Sequence, residues 1–245
     1  PAGGTFHIED VQDQVELALM RSGEHQIARA YVLYREERTR ERAAKRAQEA
    51  IQSTQPGINV TVGGVKQPLD SARLEALITS ACDHVGGEVE AKKIIDATLR
   101  DLYDGVPLEE VHKCAILAAR MLIEQDPGYT YVTARLLLHT IRREVLGEEV
   151  LQEEMSTRYA EYFPTFISQG VKAQLLDEKL ASYDLKRLGA ALKPQRDLQF
   201  NYLGLQTLYD RYFLHIHERR IELPQAFFMR VSMGLALNEI DREAR

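Results

Sequence analysis

Leu205–Leu214 reads LQTLYDRYFL and Glu222–Glu239 reads ELPQAFFMRVSMGLALNE, with HIHERRI (His215–Ile221) between them. Leu205, Leu208, Tyr209, Tyr212 and Phe213 recur at helical spacing, which predicts a helix with one buried stripe. The polar turn His215–Arg220 separates two short runs that can pair as a hairpin, Tyr212–His215 with Ile221–Leu223. Pro224 suits the first turn of a following helix, where its missing N–H costs nothing. Ala226–Leu237 is apolar on almost every side, interrupted by Arg230, Ser232 and Gly234. A helix with so little polar surface is expected inside a larger body, one that would extend past Arg245.

Composition bounds the rest. The 245 residues suffice for one large or two small domains, and 44% apolar residues can fill real cores. A net charge of −6 offers no general field to attract nucleic acid, so no nucleic-acid partner is expected. No run of 18 apolar residues occurs, so no membrane span is expected, and PAGGTFHIED at the start does not read as a signal peptide. Cys82 and Cys114 are the only cysteines. Each lies among apolar neighbours in a helical pattern, as buried free thiols of a reducing cytosol would, and two isolated cysteines make no structural zinc site.

Earlier in the chain, Val11, Val15, Ala18 and Leu19 share a helical face that ends at Ser22-Gly23. A second helix is predicted from about His25 to Ala50. Ile27, Ala30, Tyr31 and Tyr34 make its first half amphipathic, and Glu36–Arg40 and Glu41–Lys45 pairs support a solvated second half. QSTQPG (Gln52–Gly57) is a linker by composition. Ile58–Val62 alternates, Gly63-Gly64 turns, and Val65–Leu69 continues, which predicts a short β-hairpin. Asp70 is placed to cap a helix over about Ser71–Val85. Further helices are predicted over about Glu88–Tyr103, Leu108–Glu124 and Tyr129–Leu146. From Glu148 the pattern changes: a helix to Phe163 is punctuated by Pro164 and Gly170, then shorter helices follow at Val171–Leu176 and Leu180–Leu192.

An internal repeat lies at a spacing of about one hundred residues. Glu9-Asp10-Val11 matches Glu109-Glu110-Val111, and Ala28-Arg29 matches Ala134-Arg135. The last two helices of the 58–147 bundle therefore occur twice, and residues 1–51 read as the tail of a similar unit.

The runs LQTLYDRYFL and ELPQAFFMRVSMGLALNE, in this order and at this separation, resemble the N-terminal region of the large subunit of class I ribonucleotide reductase, just before its catalytic barrel. YDGV and EEVH (Tyr103–His112), then GYTYVTARLLLHTIRRE (Gly128–Glu144), resemble the ATP-cone, the regulatory nucleotide-binding module of these enzymes. HIEDVQDQVELAL and ARAYVLYRE resemble the end of a second such cone. The resemblance implies a mainly α chain: the C-terminal part of a first ATP-cone over 1–51, a second, degenerate cone (hairpin plus four helices) over 58–147, and a helical domain with one hairpin over 148–245. It implies the regulatory N-terminal part of a ribonucleoside-diphosphate reductase large subunit, which makes deoxyribonucleotides under control by ATP and dATP. It further implies a cytoplasmic protein that associates with itself and with a small, radical-generating subunit.

A triphosphate needs several converging cations, and a base needs an apolar slot. The family draws its cations from a Lys-Arg-Asp-Gly hairpin turn, from a Lys opening the first helix and from a basic residue late in the last helix. Here the turn reads Val62-Gly63-Gly64 and carries no cation. Ser71 stands at the lysine position with Arg73 nearby, His112 matches a family histidine, and Arg143 lies near the last basic position. Arg73, His112 and Arg143 are therefore the candidate effector residues, with ATP or dATP and Mg²⁺ as effectors; a cone kept for packing and assembly is the alternative. No catalytic residue is expected here, because Cys82 and Cys114 match no catalytic motif. His215 and His217 suit a solvated hairpin tip better than a metal, and Glu148-Glu149 has no partner suggesting acid–base work. Two other readings stand beside this one. A stand-alone nucleotide-sensing regulator would need a zinc ribbon, which two lone cysteines cannot supply. A ligand-free helical scaffold would show no nucleotide response.

Overall fold

The computed structural model describes residues 58–239, together with Ala18, Arg21, Ile27 and Tyr31, which are helical. The chain divides into two compact units, 1–57 and 58–245. The two helices predicted before residue 51, the first repeat copy and the partial cone lie outside the described residues apart from those four positions.

The second unit opens with the predicted hairpin. Strand β1 (Asn59–Val62) pairs antiparallel with β2 (Val65–Pro68), Asn59 opposite Pro68 and Val62 opposite Val65. Gly63 and Gly64 turn it with φ of 57° and 84°, both in the left-handed region that a two-residue primed turn requires. A third strand not predicted from the sequence, β3 (Val106–Pro107), pairs parallel with β1 on its other side. Two residues carry no periodicity, so the strand is set by tertiary contacts. Gly105 N–H donates to the Asn59 carbonyl at 2.7 Å, and Asp104 Oδ1 accepts from Asn59 N and Nδ2 at 3.0 and 2.8 Å.

Four helices complete the bundle: α1 (Ser71–Cys82), α2 (Ala91–Asp101), α3 (Leu108–Met121) and α4 (Tyr129–Leu146). Asp70 caps α1, its Oδ1 accepting from Arg73 N at 2.9 Å. At the other end Arg135 of α4 donates to the Ala81 and Asp83 carbonyls at 3.0 and 2.5 Å and so closes α1. Gly147, at φ 80°, caps α4 by donating to the Arg143 carbonyl. Val60, Ile78, Ile94, Val111, Val132 and Ile141 are buried between these elements. The first three helices are shorter than predicted: α1 and α3 end in turns, and α2 starts at Ala91 and gives way to extended Leu102.

Three differences appear in the helical part. Helix α5 (Met155–Lys172) runs through Pro164 and Gly170 instead of stopping there. Met155, Tyr159, Phe163, Phe166 and Ile167 form a buried stripe at helical spacing, and its burial outweighs the roughly 3 kcal/mol that an interior proline costs. Helix α6 (Leu185–Ala191) crosses α5 at Gly189, where an added Cβ would lie 3.0 Å from the Ala160 carbonyl oxygen and 3.3 Å from its Cα. Leu180 falls in a 3-10 turn (Glu178–Ser182) rather than in that helix.

Helix α7 (Tyr202–Arg211) buries Leu205, and Phe213 just after it; Leu208 and Tyr209 are half-buried and Tyr212 is 55% exposed, so the predicted stripe is only partly covered. The hairpin forms two residues nearer its tip than predicted: β4 (His215–Ile216) pairs with β5 (Arg219–Arg220), and His217-Glu218 makes the turn with His217 at φ 53°. The predicted flank continues it through Ile221 N–H to the Leu214 carbonyl. Helix α8 (Pro224–Leu235) starts at the proline as predicted. It buries Ala226 and Met233 but leaves Phe228, Val231 and Leu235 exposed, so the described residues cover one side of it and not all.

A buried polar node ties α4 to this part. Asp197 accepts from Arg142 Nη2 at 3.3 Å, from the Tyr159 hydroxyl at 2.8 Å and from Gln225 Nε2 at 2.9 Å. Burial pushes the Asp197 carboxyl above the usual range, and Arg142 opposes that most strongly. No helix among the described residues is long and apolar enough to cross a membrane.

Candidate functional site

Asp70 starts α1 where β2 ends, and Pro107 delivers α3 from β3, so the first turns of both helices meet beside the sheet. The segment after Gly147 returns past them. Together they line a cavity of about 120 Å³. Val60, Leu69, Leu74, Leu77, Leu108 and Val111 give it apolar walls, and Gln67, Asp70, Arg73, His112 and Glu149 give it a polar border.

The charged groups form a continuous chain. Arg73 Nη2 pairs with Glu149 Oε2, and the same oxygen lies 3.9 Å from His139 Nε2. His139 and His112 meet edge to face, ring centroids 5.2 Å apart. Arg143 Nη1 donates to His112 Nδ1 at 3.2 Å. A guanidinium only donates, so Nδ1 is the acceptor and His112 carries its proton on Nε2. Burial is the main reason that the His112 pKa falls to about 4, with His139 and Arg143 adding to it. Burial also lowers His139, Arg143 and Arg142 push it the same way, and Glu149 opposes them. Both rings are therefore neutral near pH 7. Arg73 and Arg143 bring two guanidiniums, and Asp70 and Glu149 two carboxylates, so the cluster has no net formal charge. His139 Nδ1 is enclosed and has no hydrogen-bond partner among the described residues.

Arg73 and His112 thus border one cavity, and Arg143 reaches it through His112. The sequence did not single out His139 or Glu149. His139 lies four residues before Arg143, on the same helical face, which is a readable signal. Glu149, which the sequence gives no partner suggesting acid–base work, is paired with Arg73; the two are separated by 76 residues, so no local pattern could have shown it. The hairpin lysine, Lys66, is paired with Asp104 at 2.5 Å, and that hydrogen bond is the first cause holding the Asp104 carboxyl at about 2.

Elsewhere, Cys82 is half-buried, and burial pushes its thiol up to about 11, which disfavours the thiolate a nucleophile needs. Among the described residues no group of three His, Cys, Asp or Glu side chains is placed to hold a metal ion.

Comparison with known proteins adds two family matches: the ATP cone domain over residues 3–40, and the ribonucleotide reductase all-alpha domain over residues 198–245. Ribonucleoside-diphosphate reductase subunit alpha of Chlamydia trachomatis is 37% identical over 238 residues, 96% of this chain and 23% of that protein. The Helicobacter pylori subunit alpha is 34% identical over 175 residues, 71% of this chain and 21% of that protein. The Danio rerio large subunit is 30% identical over 154 residues, 62% of this chain and 19% of that protein.

The chain belongs to the ribonucleotide reductase alpha-subunit family. It spans about a quarter of the length of the relatives it matches over nearly its whole extent. Within this alpha-subunit sequence the all-alpha match takes in α7, the β4–β5 hairpin and α8, the stretch whose two runs carry the resemblance. Apart from Ala18, Arg21, Ile27 and Tyr31, the cone match falls on residues outside those described.

Proposed function

We propose that this chain is the regulatory N-terminal part of a ribonucleoside-diphosphate reductase that makes deoxyribonucleotides in the cytoplasm, working with a small, radical-generating subunit and through self-association. Residues 1–51 are the end of one cone, residues 58–147 a second cone, and residues from 148 the helical domain. ATP or dATP, with Mg²⁺, is the effector. Arg73, His112 and Arg143 are its contacts in the second cone. The observation that carries this reading is their convergence: Arg73 and His112 line one cavity with apolar walls for a base, and Arg143 bonds to His112 at its border.

Calorimetric titration of the chain with ATP and dATP, Mg²⁺ present, tests it. Saturable binding that Arg143→Ala weakens is the expected result. Heat that is absent, or indifferent to that substitution, removes the second cone from effector binding. One observation favours that other outcome, a cone retained for packing: the Gly63-Gly64 turn carries no cation, and Lys66 is held by Asp104.

A further inference from the structure

The cluster contains an anion already, and it belongs to the protein. Glu149 lies beyond the last cone helix, yet its carboxylate sits between Arg73 and His139 at the border of the cavity. Among the described residues Arg73 is the cation lining that cavity, and its pairing with Glu149 is a charge-assisted contact of the kind a phosphate oxygen would make. The cavity of about 120 Å³ is also well below the roughly 300–1,000 Å³ of small-molecule sites. Glu149 lines it, so its side chain both satisfies the cation and fills space that a polyphosphate needs.

Chain geometry allows the carboxylate to leave. Gly147 makes the turn after α4, and Val150 is buried, so the backbone on both sides of Glu149 is anchored while its side chain reaches back to α1. Arg73 has 66% of its side chain exposed, so it can hold a ligand arriving from solvent without a change in the core.

Resting on the effector reading above, we propose that Glu149 is an internal competitor for the second-cone site, a carboxylate that occupies the phosphate position until a nucleoside triphosphate displaces it. Its strength sets the effector concentration at which the site fills. Because Glu149 belongs to the segment that leads into α5, filling the site also releases a side chain that clamps this segment to α1.

The test is a double-mutant cycle in the full chain, with ATP–Mg²⁺ as the probe and calorimetry as the readout. Glu149→Gln keeps the shape, removes the charge and removes repulsion of the incoming phosphates, and is expected to tighten ATP binding by about tenfold or more. Arg73→Ala is expected to weaken binding in the wild type and to abolish the gain from Glu149→Gln, which separates this site from binding by residues 1–57. Circular dichroism of each variant confirms that it is folded. Wild-type binding sensitive to Arg73→Ala but unchanged by Glu149→Gln overturns the competitor and leaves the effector site standing. No Arg73-dependent binding in either the wild type or Glu149→Gln overturns both.

Discussion

The His112 imidazole is protonated near pH 6.5 in an unfolded chain but only near pH 4 in the folded one, burial being the first cause. Between those values the unfolded state binds a proton that the folded state refuses. Stability present above pH 6.5 is therefore lost as the pH falls toward 4, by up to about 3 kcal/mol from this residue. His139 is shifted in the same direction and adds to the slope. His112→Gln, which keeps a hydrogen-bonding side chain without the titration, is expected to flatten most of that loss in urea unfolding curves taken from pH 7 to pH 4. A variant that keeps the wild-type slope would place the proton uptake elsewhere. At this scale the sequence was partly legible. Arg73, His112 and Arg143 were named from motif positions and do converge, and the Asp70 cap was readable three residues before its partner. Glu149 and Asp197 were not, because their arginine partners lie 76 and 55 residues away and nothing local marks a carboxylate that will be enclosed.

Among the elements, α5 and α6 depend on a glycine. Position 164 has no N–H to offer the Ala160 carbonyl four residues back, and a Cβ added at Gly189 would lie 3.0 Å from that carbonyl oxygen, tighter than a Cβ ordinarily sits. Gly189→Ala would gain about 0.5–1 kcal/mol in helix propensity. It would lose about 1–3 kcal/mol by forcing backbone against backbone. The contact decides the sign, and a lower melting temperature is expected, by about 2–4 °C for each kcal/mol lost. A variant that melts at or above the wild type would mean that the two helices can separate at little cost. The same pair shows what an element-level reading misses. Pro164 reads as a stop because its local penalty is visible in sequence, whereas the buried stripe from Met155 to Ile167 that overrides it needs partners from elsewhere. The hairpin slipped toward its tip for a related reason: His217 takes the left-handed conformation that a glycine or asparagine would have announced.

For the whole molecule, residues 58–245 form one compact unit despite the change of pattern at residue 147. Helix α4 is packed against α1 and α3 on the cone side and against α7, β5 and the Pro194–Gln199 turn on the other. Arg219 donates to the Glu144 and Val145 carbonyls at 2.8 and 3.3 Å, and Tyr209 donates to Glu144 Oε2 at 2.7 Å, so the end of α4 is also fastened from the hairpin side. Hydrogen-exchange mass spectrometry is expected to find α4 and α5 opening together, with the same free energy. Exchange of residues 71–146 well ahead of α5 would make the bundle a separate cooperative unit. The sequence divides here because Gly147 breaks a helix and the pattern changes from Glu148, and neither signal shows whether the flanking helices share a core.

Arg142 and Arg143 are neighbours on α4, about 100° apart around its axis. The first is sealed into the node with Asp197, and the second supports His112 at the cavity. What this stretch must preserve across generations is therefore phase. One residue gained in α4 ahead of the pair would swing the sealed arginine toward the cavity, and one residue lost there would swing the other into the node, while the turns at Gly63-Gly64 and His217-Glu218 could change length without altering either role. Insertions and deletions among related chains should accordingly collect in such turns and be purged from α4.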